Sequence, residues 1–395
     1  MEKNRLFGVG EPLTMRSMAE PIDPMETLEL MQAVGFTAMR EWMHIPAILD
    51  NPTTPKPAVV AAYTKVLDRC AALDIEVTGM SHEWFLPAGC VQTVGNAVPP
   101  RDLTPGSLYR QLLEMLEQSW FTLVSCFPQV PQWEVGNEWN IDIFLHPDGF
   151  LQSDRSRRFS PDEKMDIAVD LMYFSAKGIR RANPKAKVVS FSPTLSSARM
   201  GGDLPDYLPP QYGVAQALER IYSRIKSGRF WSDNPDDYFD LLAWHPYLFG
   251  AAQSPEGGGK NGTRNEGEPN ELWREYNNAA YRVMQKYGDG HKQALITEFG
   301  FTDCGDPALE RLHAQYFRKA FDICAELPYI RTLHAFRMYT QQSMLENNDP
   351  DTIGGLGEVY FGFFTEPAYG HKPRAKAVEL QKICGGAGDL WKYAK

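Results

Sequence analysis

Residues 132–140 read Gln-Trp-Glu-Val-Gly-Asn-Glu-Trp-Asn, and residues 294–301 read Ala-Leu-Ile-Thr-Glu-Phe-Gly-Phe. Both runs start as short apolar strands and finish on a glutamate. A carboxylate is costly to bury unpaired, so a strand that carries one to its end has a use for it. Working outward from these two runs, six more strand-like runs appear: Arg5–Gly10, Thr37–Met43, Glu76–Ser81, Lys187–Thr194, Leu241–Tyr247 and Thr332–Tyr339. Most are rich in apolar and β-branched residues, as strands buried on both faces should be.

Helical patterns lie between the runs. Asp23-Pro24 and Ser160-Pro161-Asp162-Glu163 are start signals, and Thr104-Pro105 is expected to open a third helix. Gly35 and Asn183-Pro184 are stop signals. Eight alternations of strand and helix predict a parallel sheet closed into a (β/α)8 TIM barrel. An open doubly wound sheet is the rival, but Gly8-Val9-Gly10 runs into Glu-Pro, not into a helix start, so the phosphate-binding fingerprint is absent. The four middle units each span about 55 residues, against roughly 30 for a minimal unit. The surplus is expected in extended loops at the C-terminal face, most clearly over Gly250–Asn270, with the whole chain, 1–395, forming one barrel domain.

Composition narrows the function classes. The chain has 395 residues, 43% of them hydrophobic and 23% charged, which rules out wholesale disorder. Its net charge of −10 and lack of clustered basic residues argue against nucleic acid as a partner. No apolar run reaches the length of a membrane span. The first 15 residues lack the apolar core of a signal peptide, so a cytoplasmic protein is expected unless a leader was removed. The six cysteines are far apart and read as buried or free thiols.

Two carboxylates facing each other across a barrel mouth can cleave a glycosidic bond, one as a protonated acid and one as an ionised nucleophile. At this point the sequence resembles the retaining glycosidases of clan A, and within it family thirty-nine and the broad cellulase family. The resemblance rests on Asn137-Glu138 at the end of the fourth strand and Glu298 at the end of the seventh. It is joined by Trp244-His245-Pro246-Tyr247, Arg40, His82 and the closing stretch Phe361–Pro367 with His371-Lys372-Pro373. It implies Glu298 as nucleophile and Glu138 as acid and base. It also implies Arg40 beside the nucleophile, Asn137 on the sugar 2-hydroxyl, Tyr247 as a hydroxyl donor to the nucleophile, and His82 and His245 lining the pocket. Glu134 lies about 13 Å deeper than Glu138 along the strand and is expected to be a hydrogen-bonded structural carboxylate.

Sugar faces stack on aromatic rings, and two of Trp42, Trp84, Trp139, Trp231 and Trp273 are expected at the site, Trp84 and Trp139 foremost. The clan's tryptophan at the end of strand eight is missing here. Phe336, Tyr339 or Arg337 stands in its place, and Arg337 with Arg155, Arg157 and Arg158 raises an acidic sugar as an option.

The activity expected is exo-cleavage of short β-linked, or equivalent α-L-arabino, glycosides, with a carbohydrate as partner and neither metal nor cofactor required. Endo-cleavage of polysaccharides is an alternative within the clan. His82, Glu83, Glu138, His245 and Glu298 also suit a divalent-metal isomerase or hydrolase. A sugar-binding barrel without turnover is the third alternative.

Overall fold

The computed structural model describes residues 6–150, 158–194, 212–247, 268–303, 305–343 and 359–395. Arg5, Arg155, Arg157, Cys304 and residues 250–267 of the expected insertion lie outside them.

Eight strands build the barrel: β1 Leu6–Gly10, β2 Ala38–Trp42, β3 Glu76–Met80, β4 Gln132–Glu134, β5 Lys187–Val189, β6 Leu242–Trp244, β7 Ala294–Phe299 and β8 Ile330–Phe336. Each is followed by a helix: α1 Pro24–Val34, α2 Pro57–Ala72, α3 Leu108–Cys126, α4 Pro161–Ala182, α5 Val214–Lys226, α6 Glu271–Lys286, α7 Pro307–Glu326 and α8 Ala375–Cys384. The strand order is β5-β4-β3-β2-β1-β8-β7-β6, with every pair parallel. Parallel bridges Val189–Leu241 and Thr194–His245 join the two ends and close the barrel. This is the (β/α)8 fold that the alternation predicts.

The local signals act largely as the sequence implies. Asp23 caps α1 by accepting from the Met25 N–H, and Gly35 ends that helix at φ 96°, a left-handed conformation that costs glycine little. Ser160 and Glu163 form a reciprocal capping box on α4. The start of α3 differs from the expectation. Its cap is Ser107, whose hydroxyl accepts from the Arg110 N–H at 3.1 Å. Thr104 instead opens the turn leading in, its carbonyl accepting from the Ser107 N–H.

The core sits mainly between sheet and helices, where Met39, Trp133, Val188, Trp244, Ile296 and Leu333 are buried with their helical partners. The opposite strand faces, pointing to the barrel axis, are unusually polar. Arg40, Thr78, Gln132, Glu134, Thr297 and His334 are all buried there. Among the described residues, the surplus after β3 and β4 lies between the strand ends and the following helices, whereas much of that after β5 and β6 lies outside them. Two of these loops are stiffened by short pairings, Trp84–Phe85 with Val94–Gly95 and Ala97–Val98 with His146–Pro147. Among the described residues no helix is long and apolar enough to cross a membrane.

Candidate active site

The polar axis leads to the site. Arg40, in the middle of β2, is fully buried, and four of its five guanidinium N–H groups meet acceptors. Its Nε and Nη2 donate to the two oxygens of Glu134 at 2.6 and 3.0 Å. Nη1 donates to Glu298 Oε1 at 2.5 Å, and Nη2 also donates to Asn137 Oδ1 at 2.8 Å. Glu134 additionally accepts from the hydroxyls of Ser192 (2.6 Å) and Thr297 (3.1 Å). It is thus the buried, satisfied carboxylate its depth implies, and it anchors Arg40.

Glu298 reaches the mouth through a β-bulge. The pairing of β7 with β8 runs Ile296↔Leu333 and then Phe299↔Ala335, so β7 carries one extra residue. Strict alternation would send Thr297 and Glu298 to opposite faces. The extra residue lets both turn to the axis, a common use of bulges beside sites. Glu298 Oε2 then accepts from the Tyr247 hydroxyl at 3.1 Å. Glu138 lies past the regular part of β4, in the left-handed region at φ 45°. A non-glycine residue is held there only when its surroundings fix it. One fixing contact is its backbone N–H, which donates to the Ser192 carbonyl at 2.9 Å.

His245 links the two carboxylates. Its Nδ1 lies 2.7 Å from Glu138 Oε1 and 3.8 Å from Glu298 Oε2, and its Nε2 lies 3.0 Å from Thr297 Oγ1. Burial is the largest influence on this imidazole and holds its pKa down to about 4, so the ring is neutral near pH 7. The direction of the hydrogen bonds follows. Glu134, ion-paired with Arg40, only accepts, so Thr297 gives it the hydroxyl proton. Thr297 Oγ1 then accepts from His245 Nε2–H. A neutral ring protonated on Nε2 shows Glu138 a bare lone pair on Nδ1. With the ring in that tautomer, Glu138 is the partner that would donate across the 2.7 Å contact. Glu298 faces the Arg40 guanidinium on one oxygen and the Tyr247 hydroxyl on the other. One carboxyl oxygen of each glutamate and one nitrogen of His245 all lie within 4.8 Å of one another.

Asn137, Glu138, Arg40, His245, Tyr247 and Glu298 are thus brought together as the sequence implies. His82 stands at the edge of the group, its ring edge-to-face with His44 at 4.4 Å and with Phe144 at 5.2 Å. Four expected binding residues are placed elsewhere. Trp84 and Trp139 are each only 1% exposed and pack edge-to-face on each other in the core. Trp139 also stacks on Phe191 and fills the space over Gly136. Tyr339 is fully buried, its hydroxyl bonded to Thr27 and to His371. Arg337 is drawn to Glu11, which also accepts from Arg16 and from the Met338 N–H.

Trp231 packs on Tyr173 and Phe174 of α4, and Trp273 is buried with its indole N–H on the Pro246 carbonyl. Of the five tryptophans, Trp42 is the one that meets the site. It lies 5.1 Å beneath the Arg40 guanidinium and 6.3 Å from Phe336. Ser192, Thr297 and His44 escaped the sequence reading. Thr297 adjoins Glu298 in sequence, but alternation alone places it on the wrong face.

The buried histidines make stability depend on pH. Burial, the largest cause in each case, pushes His44 and His334 down to about 3 and His313 down to about 4, alongside His245. In the unfolded chain these rings titrate near 6.5. Below that pH the unfolded state binds the extra protons, so the stability they contribute is full above about 6.5 and is lost as pH falls towards 3–4. The slope is roughly 1.4 kcal/mol per pH unit for each histidine. Glu41 works the other way. Burial raises it to about 8, so the folded state keeps a proton there that the unfolded state releases, and one histidine is offset. The melting temperature should drop by on the order of 10 °C between pH 6.5 and 4.5. A flat profile over that range, measured by calorimetry, would contradict the neutral buried rings.

No protein-family model and no curated protein matches the sequence. Solved structures match in shape. A family 39 glycoside hydrolase from the gut symbiont Bacteroides cellulosilyticus superposes with a TM-score of 0.59 at 14% identity. The match covers 98% of this chain, which spans only 64% of that protein's length. A β-glycosidase gives a TM-score of 0.61 at 13% identity, covering 97% of both chains. A family 1 β-glucosidase from Thermotoga maritima gives 0.59 at 13% identity, covering 98% of this chain and 99% of the other. These neighbours are clan A barrel enzymes, and the chain shares their (β/α)8 fold.

Proposed function

We propose that the protein is a retaining glycoside hydrolase built on one barrel domain over residues 1–395. The observation that carries this reading is the Glu138–Glu298 pair, whose nearest oxygens lie within 4.8 Å, with His245 against Glu138 and with Arg40 and Tyr247 against Glu298. Retaining enzymes hold their two carboxyl groups about 5–5.5 Å apart, whereas inverting enzymes leave about 6.5–9.5 Å for a water.

On this reading Glu298 attacks the anomeric carbon as the glycosidic C–O bond breaks. Glu138 gives its proton to the leaving oxygen, and a covalent glycosyl-enzyme forms. Glu138, now ionised, takes a proton from water, which attacks the same carbon and releases Glu298. Arg40 and Tyr247 orient Glu298, one on each carboxyl oxygen. Asn137 has its carbonyl oxygen committed to Arg40, which leaves its amide N–H groups to meet the sugar 2-hydroxyl. Trp42 and Phe336 supply the aromatic surface beside the reacting sugar.

The substrate reading is a neutral, short β-linked or equivalent α-L-arabino glycoside, cleaved from an end. Support for a neutral sugar comes from the two described arginines among the four that raised an acidic one. Arg337 is ion-paired with Glu11, and Arg158 with Asp142. Support for exo-action is the length of the loops that follow the middle strands. The test is a panel of nitrophenyl glycosides, including arabinofuranosides and glucuronides, together with oligosaccharides of graded length. Release of single terminal sugars by chelator-treated enzyme is expected. Internal cleavage of polymers would replace exo with endo action. Activity lost on chelation and restored by metal would favour the metal-dependent alternative, and sugar binding without hydrolysis would favour the non-catalytic one.

A further inference from the structure

We infer that His44, His82 and Glu83 form a binding site for one divalent transition-metal ion, of zinc-like ligand preference, at the edge of the barrel mouth. Trp42 and Met80 are paired neighbours at the ends of β2 and β3, so the residues two beyond them, His44 and His82, come side by side. Their rings are 4.4 Å apart, and His82 Nε2 lies 3.9 Å from Glu83 Oε1. One ligand atom from each of the three residues falls within 4.8 Å of the other two. Ligands about 2.0–2.1 Å from a tetrahedral ion stand roughly 3.4 Å apart, so closure takes side-chain shifts of about an ångström.

The polar atoms point the same way. His44 is 7% exposed, and the Nδ1 atoms of both His44 and His82 are buried with no hydrogen-bond partner. Buried orphans of this kind are uncommon; each ring thus keeps a nitrogen that the protein does not engage, and His82 turns its other nitrogen, Nε2, towards Glu83. The two segments are also tied together before any ion arrives. The Ser81 hydroxyl accepts from the Ile45 N–H at 3.1 Å and donates to the Glu83 carbonyl at 3.1 Å. Glu83 is the one carboxylate of the cluster and brings it a negative charge. Two imidazoles and one carboxylate suit zinc, cobalt or nickel, not magnesium or calcium, which prefer all-oxygen shells.

This cluster is separate from Glu138, His245 and Glu298, and it carries no step of the proposed hydrolysis. Its test is therefore a binding measurement. Chelator-treated, dialysed protein is titrated with Zn²⁺ by calorimetry and with Co²⁺ by visible absorption. One ion per chain is expected, with Co²⁺ bands of low-coordinate type and no heat from Mg²⁺. His44→Ala and Glu83→Gln should each weaken Zn²⁺ binding by at least about tenfold. Glu83 is partly exposed, so its variant keeps the fold even where that of His44 does not. Glu138→Gln should leave binding in place. The proposal is overturned if the wild-type chain binds no ion, which would assign the orphaned nitrogens to ordered water. It is also overturned if binding survives Glu83→Gln and is lost in Glu138→Gln.

Discussion

Replacing Glu298 with glutamine should lower kcat/KM on aryl glycosides by on the order of 10⁴–10⁶-fold with little change in fold. Both halves of that result follow from the contacts. The amide cannot form the glycosyl ester, so the covalent step is lost outright. The fold survives because Arg40 does not depend on Glu298 for its counter-charge. Its guanidinium stays paired with both oxygens of Glu134, so no buried cation is orphaned. Glu298→Ala should behave alike, with Arg40, Tyr247 and His245 left in place around a small cavity. Kinetics with a circular-dichroism melt checks this. A melting temperature near wild type with activity gone supports the assignment, and turnover retained in both variants sinks it.

Replacing Glu138 with alanine should give a different signature. An acid that protonates the leaving oxygen contributes about 10²–10⁴-fold, and only when the leaving group needs the proton. Alkyl glycosides should therefore lose their hydrolysis almost entirely. Dinitrophenyl glycosides, whose phenolate leaves unaided, should still form the glycosyl-enzyme and then stall, because no base activates water. Azide, an anionic nucleophile that needs no base, should restore turnover and yield the glycosyl azide with retained configuration. Equal losses on all leaving groups, with no rescue by azide, would contradict the role. His245 predicts a further detail. Its Nδ1 lies 2.7 Å from Glu138 Oε1, so a ring-deleting variant should shift the limb of the pH profile that belongs to the acid.

The sequence made the barrel legible because eight short strand-like runs, apolar on the face that meets the helices, alternated with helical patterns. Strand starts agreed within a residue or two. Strand ends did not, since β4, β5 and β6 leave regular pairing soon after residues 134, 189 and 244 and continue as single bridges. Asn137-Glu138 and Glu298 were visible as carboxylates ending apolar strands. Their supports were less so. A bulge leaves no mark in composition, so Thr297 could not be placed. Trp84 and Trp139 were misplaced because a tryptophan in a loop reads the same whether it faces sugar or core, and only tertiary packing decides. Tyr339 and Arg337 were misplaced for a related reason. Their partners Thr27 and Glu11 lie more than 300 positions away in sequence.

The central claim is a double displacement through Glu298, and its most direct test is the anomeric configuration of the first product. Proton NMR should follow the hydrolysis of whichever aryl glycoside in the panel is turned over, before mutarotation sets in. The account predicts that the first sugar to appear has the same anomeric configuration as the substrate. A first product of opposite configuration would contradict it, because it requires a water between the two carboxylates where the structure leaves room for a sugar–enzyme bond.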